Sequence, residues 1–343
     1  MKKVYKYLAV ICLLGLTAGT FNSCKKQVPE PKPQEQEQET PEPEPEPEKP
    51  AFQTDIAAAL EADGTLVKQF KTNESFSPHK GVYVTTITYT DGNGDPQAAY
   101  IMQVDLTEPT IDLVNTAPHN AKKALINQPE RLSEQFKRID ADGCRVIGGV
   151  NTDFFVTAEG YSHGYPQGAF YRDYVCLKST FSSQTNRPRC TVSWGDDKVI
   201  SILTYNEYKD VESTAKFKNL FSGGQKLISG GAITNYKADS VAGVNPRTMI
   251  GVSQDGKRLI LVVIDGRREG YSIGVDYPDM QKFMKAAGSW ESINLDGGGS
   301  STFIVRKEGA GYYSDSRFQP RNRPSDGTER AIGPGLAIVA TDE

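Results

Sequence analysis

The sequence predicts an α+β fold: a mixed, mainly antiparallel sheet with a few packed helices, in a single large domain. Three observations point there. Segments with strand-like alternation outnumber helical ones. The two well-patterned helices, one after Pro129 and one after Pro278, lie far apart in the chain. Strands do not alternate regularly with helices, as a doubly wound α/β sheet would require, and no segment repeats at a fixed period.

In chain order, Lys2, Lys3 and Lys6 precede an apolar run from Leu8 to Leu16, too short for an ordinary membrane span, and Cys24 follows small residues. This resembles a bacterial lipoprotein signal over residues 1–23, with Cys24 as the lipidated residue. The expected location is therefore the cell envelope, lipid-anchored to a bacterial membrane, at the outer membrane or cell surface. Residues 24–55 form a Pro/Glu-rich linker with no recurring apolar position, so they cannot build a core. At roughly 3 Å per residue in polyproline II form, such a stalk would reach on the order of 90 Å. Residues 56–343 hold 34 acids and 32 bases, a net of −2. That near-neutral balance argues against a large nucleic-acid footprint.

Within residues 56–120, a β-rich segment, Ile56, Leu60, Leu66 and Phe70 suggest a weak helix over 55–70. Gly81–Tyr89 alternates as a strand, Asp91–Asp95 reads as a hairpin turn, and Ala99–Leu106 and Thr110–Val114 continue the meander. The remaining segment, 121–343, opens with a helix after Pro129 on the face Leu132, Phe136, Ile139, stopping by Asp142-Gly143. Arg145–Val150 is a buried strand running into Asn151-Thr152-Asp153-Phe154-Phe155. Tyr161–Gln167 reads as a loop, and Cys190–Trp194 and Val199–Tyr205 as strands around Asp196-Asp197. Ser222-Gly223-Gly224 is either a ligand loop or a bend between strands. Asn245-Pro246-Arg247 enters a strand, and Leu259–Ile264 is the most apolar run after the signal, hence a central strand. Pro278 starts a helix that Gly288 ends. Ile293–Leu295 and Phe303–Val305 are strands flanking the stretch Asp296–Thr302. Gly309–Gly327 reads as a long surface loop, and Ile332–Ala340 as the last strand.

Beyond Cys24, three cysteines remain in the segment that follows: Cys144, Cys176 and Cys190, allowing at most one disulfide, with Cys176–Cys190 the expected pair. With no CxxC pair and only three histidines, zinc sites and histidine-based triads are disfavoured. Any chemistry must rest on carboxylates, arginines, amides and hydroxyls.

Those residue types recur at strand ends. Three apolar strands run into Asp153, Asp265 and Asp296, the last followed by Gly297, Gly298, Gly299, Ser300, Ser301 and Thr302. A Walker loop is disfavoured because no lysine follows the glycines. If the strand ends converge, carboxylates would supply acid–base or nucleophilic function. Arg247, Arg267 and a nest of backbone N–H groups would hold phosphate oxygens. A sugar-1-phosphodiester combines both needs. The same aspartates offer hard oxygen ligands of the kind a divalent cation takes; no metal is assigned.

The stretch Ile293–Phe303 resembles the signature of the phosphodiester glycosidase family. Other blocks resemble it in the same order: Gly143-Cys144-Arg145-Val146 with Asn151 and Phe154-Phe155, Arg247-Thr248 with Ile250-Gly251, Asp265-Gly266, and Arg330 before the last strand. The resemblance spans roughly residues 143–340, with Thr152 and Asp153 standing where the family has paired glycines. It implies a hydrolase that cleaves the glycosidic bond of a sugar-1-phosphodiester or related phosphorylated glycan. Asp296 and Asp265 would supply the carboxylate chemistry, with Asp153 as an added carboxylate. Arg247, Arg267 and Arg330 would bind phosphate, Asn151 would orient sugar hydroxyls, and Gly297–Thr302 would cradle phosphate. Two other readings remain: a non-catalytic surface glycan-binding lipoprotein, and a glycosidase acting on an unphosphorylated polysaccharide.

Overall fold

The computed structural model describes residues 55–341, apart from 142–143, 183–187, 240 and 309–314. The signal, Cys24, the linker up to residue 54 and the helix stop at Asp142-Gly143 lie outside the described residues. The α+β expectation holds: among the described residues, four α-helices accompany an eight-stranded, a five-stranded and a four-stranded sheet and one two-stranded ribbon, all with antiparallel neighbours.

Leu259–Ile264 falls in the strand Arg258–Ile264, at the centre of the eight-stranded sheet between Pro96–Asp105 and Arg247–Val252. It is apolar on every residue because both faces of the sheet are covered. Leu259, Leu261 and Val263 join a core shared with the other two large sheets, where Leu336, Ile338, Val192 and Phe221 meet them. Ile260, Val262 and Ile264 face the opposite side, under Leu60, Tyr277, Phe283 and Met284 of two helices. One of these is Tyr277–Ala286, capped by the Asp276 side chain accepting from Asp279 N–H, with proline in its first turn as predicted. The other, Ile56–Asp63, is shorter than predicted. Gly64 closes it in the left-handed conformation, Leu66 follows in the turn, and Phe70 falls in the next segment, the strand Val67–His79.

The four-stranded sheet, ordered Phe303–Val305, Arg145–Asn151, Gly335–Ala340, Ile111–Thr116, carries the helix Leu132–Ile139 on one face. Leu132, Phe136 and Ile139, the predicted stripe, pack on Val146, Ala337 and Val339. Pro129 lies ahead of this helix, since Glu130–Arg131 first pairs as a short ribbon with Ala331–Ile332. Packing is tight at Gly149: a Cβ there would sit 1.9 Å from the Leu336 carbonyl oxygen and 2.9 Å from the Phe136 ring. Gly149→Ala is therefore expected to lose roughly 2–4 kcal/mol in urea denaturation. A loss under about 0.5 kcal/mol would contradict this packing.

The region 170–223 forms the five-stranded sheet, in the order Ser201–Thr204, Cys190–Trp194, Asn219–Gly223, Phe170–Arg172, Val175–Lys178. The predicted strand to Tyr205 stops at Thr204, whose hydroxyl caps the helix Tyr205–Val211 in a capping box with Glu207. The expected Cys176–Cys190 disulfide is not formed; Cys144, Cys176 and Cys190 are all free. Two strands separate Cys176 from Cys190 in the sheet. Three interstrand spacings of about 4.8 Å exceed the roughly 7 Å that a disulfide can bridge. The Ser222-Gly223-Gly224 stretch carries the chain from this sheet to the strand Lys226–Ser229 of the eight-stranded one. Its glycines serve close approach: a Cβ on Gly224 would stand 2.3 Å from Asn294 Oδ1.

Candidate active site

Arg258–Ile264 and Glu291–Asn294 both run antiparallel to Arg247–Val252, so they are parallel to each other. Asp265 and Asp296 thus emerge at the same end of the sheet, beside the entry of Arg247. The third predicted strand end joins them from the facing sheet: Asp296 N–H donates to the Thr152 carbonyl at 2.9 Å. The three strand ends therefore lie at one end of the eight-stranded sheet.

At this end lies a cleft of about 440 Å³. Its lining includes Asp296, Gly297, Gly298, Gly299, Ser300, Arg247, Arg267 and Arg330, with Phe154, Phe155, Thr157, Gln167, Val241 and Asn245. Asp296 is the one carboxylate among these lining residues. Its Oδ1 accepts from Gly297 N–H at 3.0 Å. Burial pushes its carboxyl up to about 6; the Asp153 charge acts in the same direction, and Ser300, Arg330 and the Gly297 N–H oppose it.

Three guanidiniums border this carboxyl. Arg330 donates from Nη1 to Ser300 Oγ at 3.3 Å and pairs with Asp326 at 2.6 Å. Arg267, exposed and at φ +60°, lies over Gly298 and donates from Nε and Nη2 to Asn245 Oδ1 at 3.0 and 2.7 Å. Arg247 is buried: Nε donates to the Val275 carbonyl at 3.0 Å, and Nη2 to Val241 O at 2.6 Å and to Gly243 O. Its ring neighbour is Tyr277, 5.3 Å away. Arg247 therefore shapes the cleft wall at 241–243 as well as lining it.

The glycine loop differs from the open nest expected of it. Gly298 N–H donates to Pro246 O, Ser300 N–H to Gly297 O and Ser301 N–H to Gly298 O. Gly297 N–H serves Asp296 itself, and Thr302 N–H serves Asn151. With these donors used inside the protein, the loop's main contribution is space. A Cβ on Gly299 would lie 2.2 Å from Arg330 Nη2 and 2.3 Å from Asp326 oxygens, so glycine lets the arginine settle against the backbone.

Three predicted residues stand back from the cleft lining. Asn151 is buried; its Oδ1 accepts from Thr248 Oγ1 at 2.9 Å and Thr302 N–H at 3.0 Å, while Nδ2 donates to Asp296 O at 2.7 Å. It ties three strand ends together, and its amide groups face protein. Asp265 is buried and accepts from Asn322 Nδ2 at 2.9 Å, Arg323 N–H at 2.7 Å and Tyr271 OH at 3.1 Å. Burial raises its pKa against the pull of those donors. Its strand is two interstrand spacings, about 10 Å, from that of Asp296. Asp153 is buried too, facing Arg189 Nη1 at 3.3 Å and accepting from Gly168 N–H at 2.7 Å. Burial pushes it up to about 6, with Arg189 and Gly168 opposing. Among the described residues, no three His, Cys, Asp or Glu side chains come together to hold a metal, so the three aspartates do not form a cation cluster.

Arg189 and Gln167 carried no sequence signal. Arg189 is buried over the Phe154 ring at 4.6 Å and donates to Gln167 Oε1, while Gln167 Nε2 donates to Phe155 O at 3.1 Å. Together they hold the aromatic wall of the cleft. Residues of this kind sit in polar loops, where only the folded partner reveals their role.

A model of the family described as phosphodiester glycosidase matches residues 145–339. The chain is similar to the bovine (Bos taurus) N-acetylglucosamine-1-phosphodiester α-N-acetylglucosaminidase, at 31% identity over 134 residues, 34% of this chain and 24% of that protein. The matched part is thus about a quarter of that relative's length. Two solved structures share the fold. One is the zebrafish N-acetylglucosamine-1-phosphodiester α-N-acetylglucosaminidase catalytic domain, auto-inhibited by pro-peptide, with TM-score 0.52 and 18% identity over 80% of this chain and 88% of that one. The other is a hypothetical protein from Synechocystis, with TM-score 0.55 and 11% identity over 78% of this chain and 64% of that one.

Proposed function

Because the chain belongs to the phosphodiester glycosidase family, we propose that it hydrolyses the bond between a sugar's anomeric carbon and a phosphodiester oxygen. The observation that carries this reading is the single cleft carboxyl, Asp296, bordered by Arg247, Arg267 and Arg330. Guanidinium forks match phosphate oxygens, and an uncharged glycan would leave Arg267 without an anion to bind.

The chemistry needs one carboxylate in the cleft. A phosphate monoester is a good leaving group, since its second pKa is about 6, so it departs without a proton when cations face it. Asp296 in its ionised form takes a proton from water as the water oxygen attacks the anomeric carbon. The carbon–oxygen bond breaks, and its electron pair stays on the phosphate facing the arginines. This departs from the paired carboxylates of ordinary glycosidases, whose leaving alcohol needs an acid.

The sign of the pH dependence follows. Asp296 titrates near 6. As a base it must be ionised, so kcat/KM should fall about tenfold per pH unit well below 6 and level off above it. A profile measured on a small sugar-1-phosphodiester checks this. Activity greatest in acid and falling above about 6 would instead assign Asp296 the role of proton donor.

A further inference from the structure

Asp265 does not line the cleft, and what it does hold leads outward. The segment after Pro320 runs alongside Phe303–Val305, with Arg321 N–H donating to Phe303 O at 2.8 Å. Asn322 turns inward: its Oδ1 accepts from Phe303 N–H at 2.8 Å and its Nδ2 reaches Asp265 Oδ1 and Ser301 O, both at 2.9 Å. Arg323 N–H then donates to Asp265 Oδ2 at 2.7 Å. Asn322 is buried, while Arg321 and Arg323 on either side of it are exposed. Each lies on an aromatic ring: Arg321 on Phe76 at 4.8 Å and Arg323 on Tyr271 at 4.3 Å.

The same segment returns to the cleft. Arg268, beside the cleft residue Arg267, donates from Nη2 to Pro324 O at 2.7 Å, and its buried Nε has no hydrogen-bond partner. Six residues on, Arg330 lines the cleft. Among the described residues, Arg267, Arg268, Arg321 and Arg323 have no carboxylate within ion-pair distance. Arg321 and Arg323, each resting on a ring and without a carboxylate partner, concentrate positive charge on a domain whose net over residues 56–343 is only −2. The Arg268–Pro324 hydrogen bond links this segment to the neighbour of the cleft residue Arg267.

We propose that this arginine band binds the continuing chain of a polyanionic glycan, whose scissile sugar-phosphodiester unit occupies the cleft. The proposal rests on the function given above and narrows it from single sugar diesters to phosphate-bearing oligomers. Arg321 and Arg323 would each meet a successive anionic group, and their rings limit the side-chain entropy lost on binding.

The test uses two synthetic probes, a sugar phosphodiester with one link and an oligomer of the same unit with five links. Calorimetry in the Asp296→Asn background, where the probes are not consumed, compares this protein with its Arg321→Ala/Arg323→Ala counterpart. The oligomer should bind at least tenfold more tightly than the single unit, and the arginine replacements should cost the oligomer about tenfold and the single unit less than twofold. Equal loss on both probes, or no preference for length, overturns the proposal. Binding to phosphatidylserine vesicles lost with the same replacements, while oligomer affinity is unchanged, overturns it in favour of a membrane surface. Turnover of the single unit by the unsubstituted protein is measured separately, so failure of the enzymatic reading is distinguishable from failure of the band.

Discussion

Asp296→Asn should lower kcat/KM on a sugar-1-phosphodiester by roughly 10³-fold or more while leaving the fold intact. Asn keeps the shape of the side chain and can still accept the Gly297 N–H at its amide oxygen, which Asp296 Oδ1 receives at 3.0 Å. It cannot accept a proton from water, and no other residue lining the cleft carries a carboxylate to replace it. The same variant should be more stable than the natural protein at alkaline pH. Burial raises Asp296 to about 6 in the folded chain from an ordinary 3.8, so folding favours the protonated form. Wild-type stability is therefore lost as pH rises from about 4 through 6, and the neutral amide avoids that loss. Discounted for partial exposure, the gain is about 1–2 kcal/mol at pH 8 and vanishes near pH 4. Kinetics and urea denaturation at both pH values read the two effects together. Unchanged turnover in a correctly folded variant would remove Asp296 from the chemistry.

The second large effect concerns stability behind the aromatic wall. Asp153→Ala should cost about 3–5 kcal/mol, because it removes the carboxylate facing the buried Arg189 guanidinium. Arg189 spans Asp153, Gln167 and the Phe154 ring, so the loss should loosen the wall and raise KM as well. A double variant, Asp153→Ala/Arg189→Met, should recover most of the stability, since it exchanges a buried ion pair for apolar packing. Denaturation of the single and double variants forms the comparison. A single variant within about 1 kcal/mol of the natural protein would show that the pair contributes little.

What could be read from the sequence depended on how each element is buried. Leu259–Ile264 sits between two covered faces and is apolar throughout, and Leu132, Phe136 and Ile139 face one sheet, so both patterns were legible. The strand Val67–His79 was not. It lies at the sheet edge, exposed on most residues, and is held by main-chain pairing to Val82–Asp91 rather than by an apolar face. The hairpin Phe170–Lys178 was hidden for another reason. Its turn uses Asp173 and Tyr174 at φ +49° and +65°, without the glycine that marks such turns.

At the site, the sequence located the strand ends but not the direction of each side chain. Asp265, Asp153 and Asp296 occupy equivalent positions in sequence, yet one meets Asn322 and Arg323, one meets Arg189, and one opens into the cleft. Those partners come from polar loops with no periodicity of their own. Asn151 was found for its place after a buried strand, while its three internal hydrogen bonds depend on Thr248, Asp296 and Thr302, remote in the chain.

In the proposed reaction water attacks the sugar's anomeric carbon and the phosphate monoester leaves. Hydrolysis of a sugar-1-phosphodiester in ¹⁸O-labelled water, followed by mass spectrometry of both products, tests it most directly. The released sugar should carry the label and the phosphate monoester should be unlabelled. Label in the phosphate, meaning attack at phosphorus, or no hydrolysis of any such diester, would contradict it.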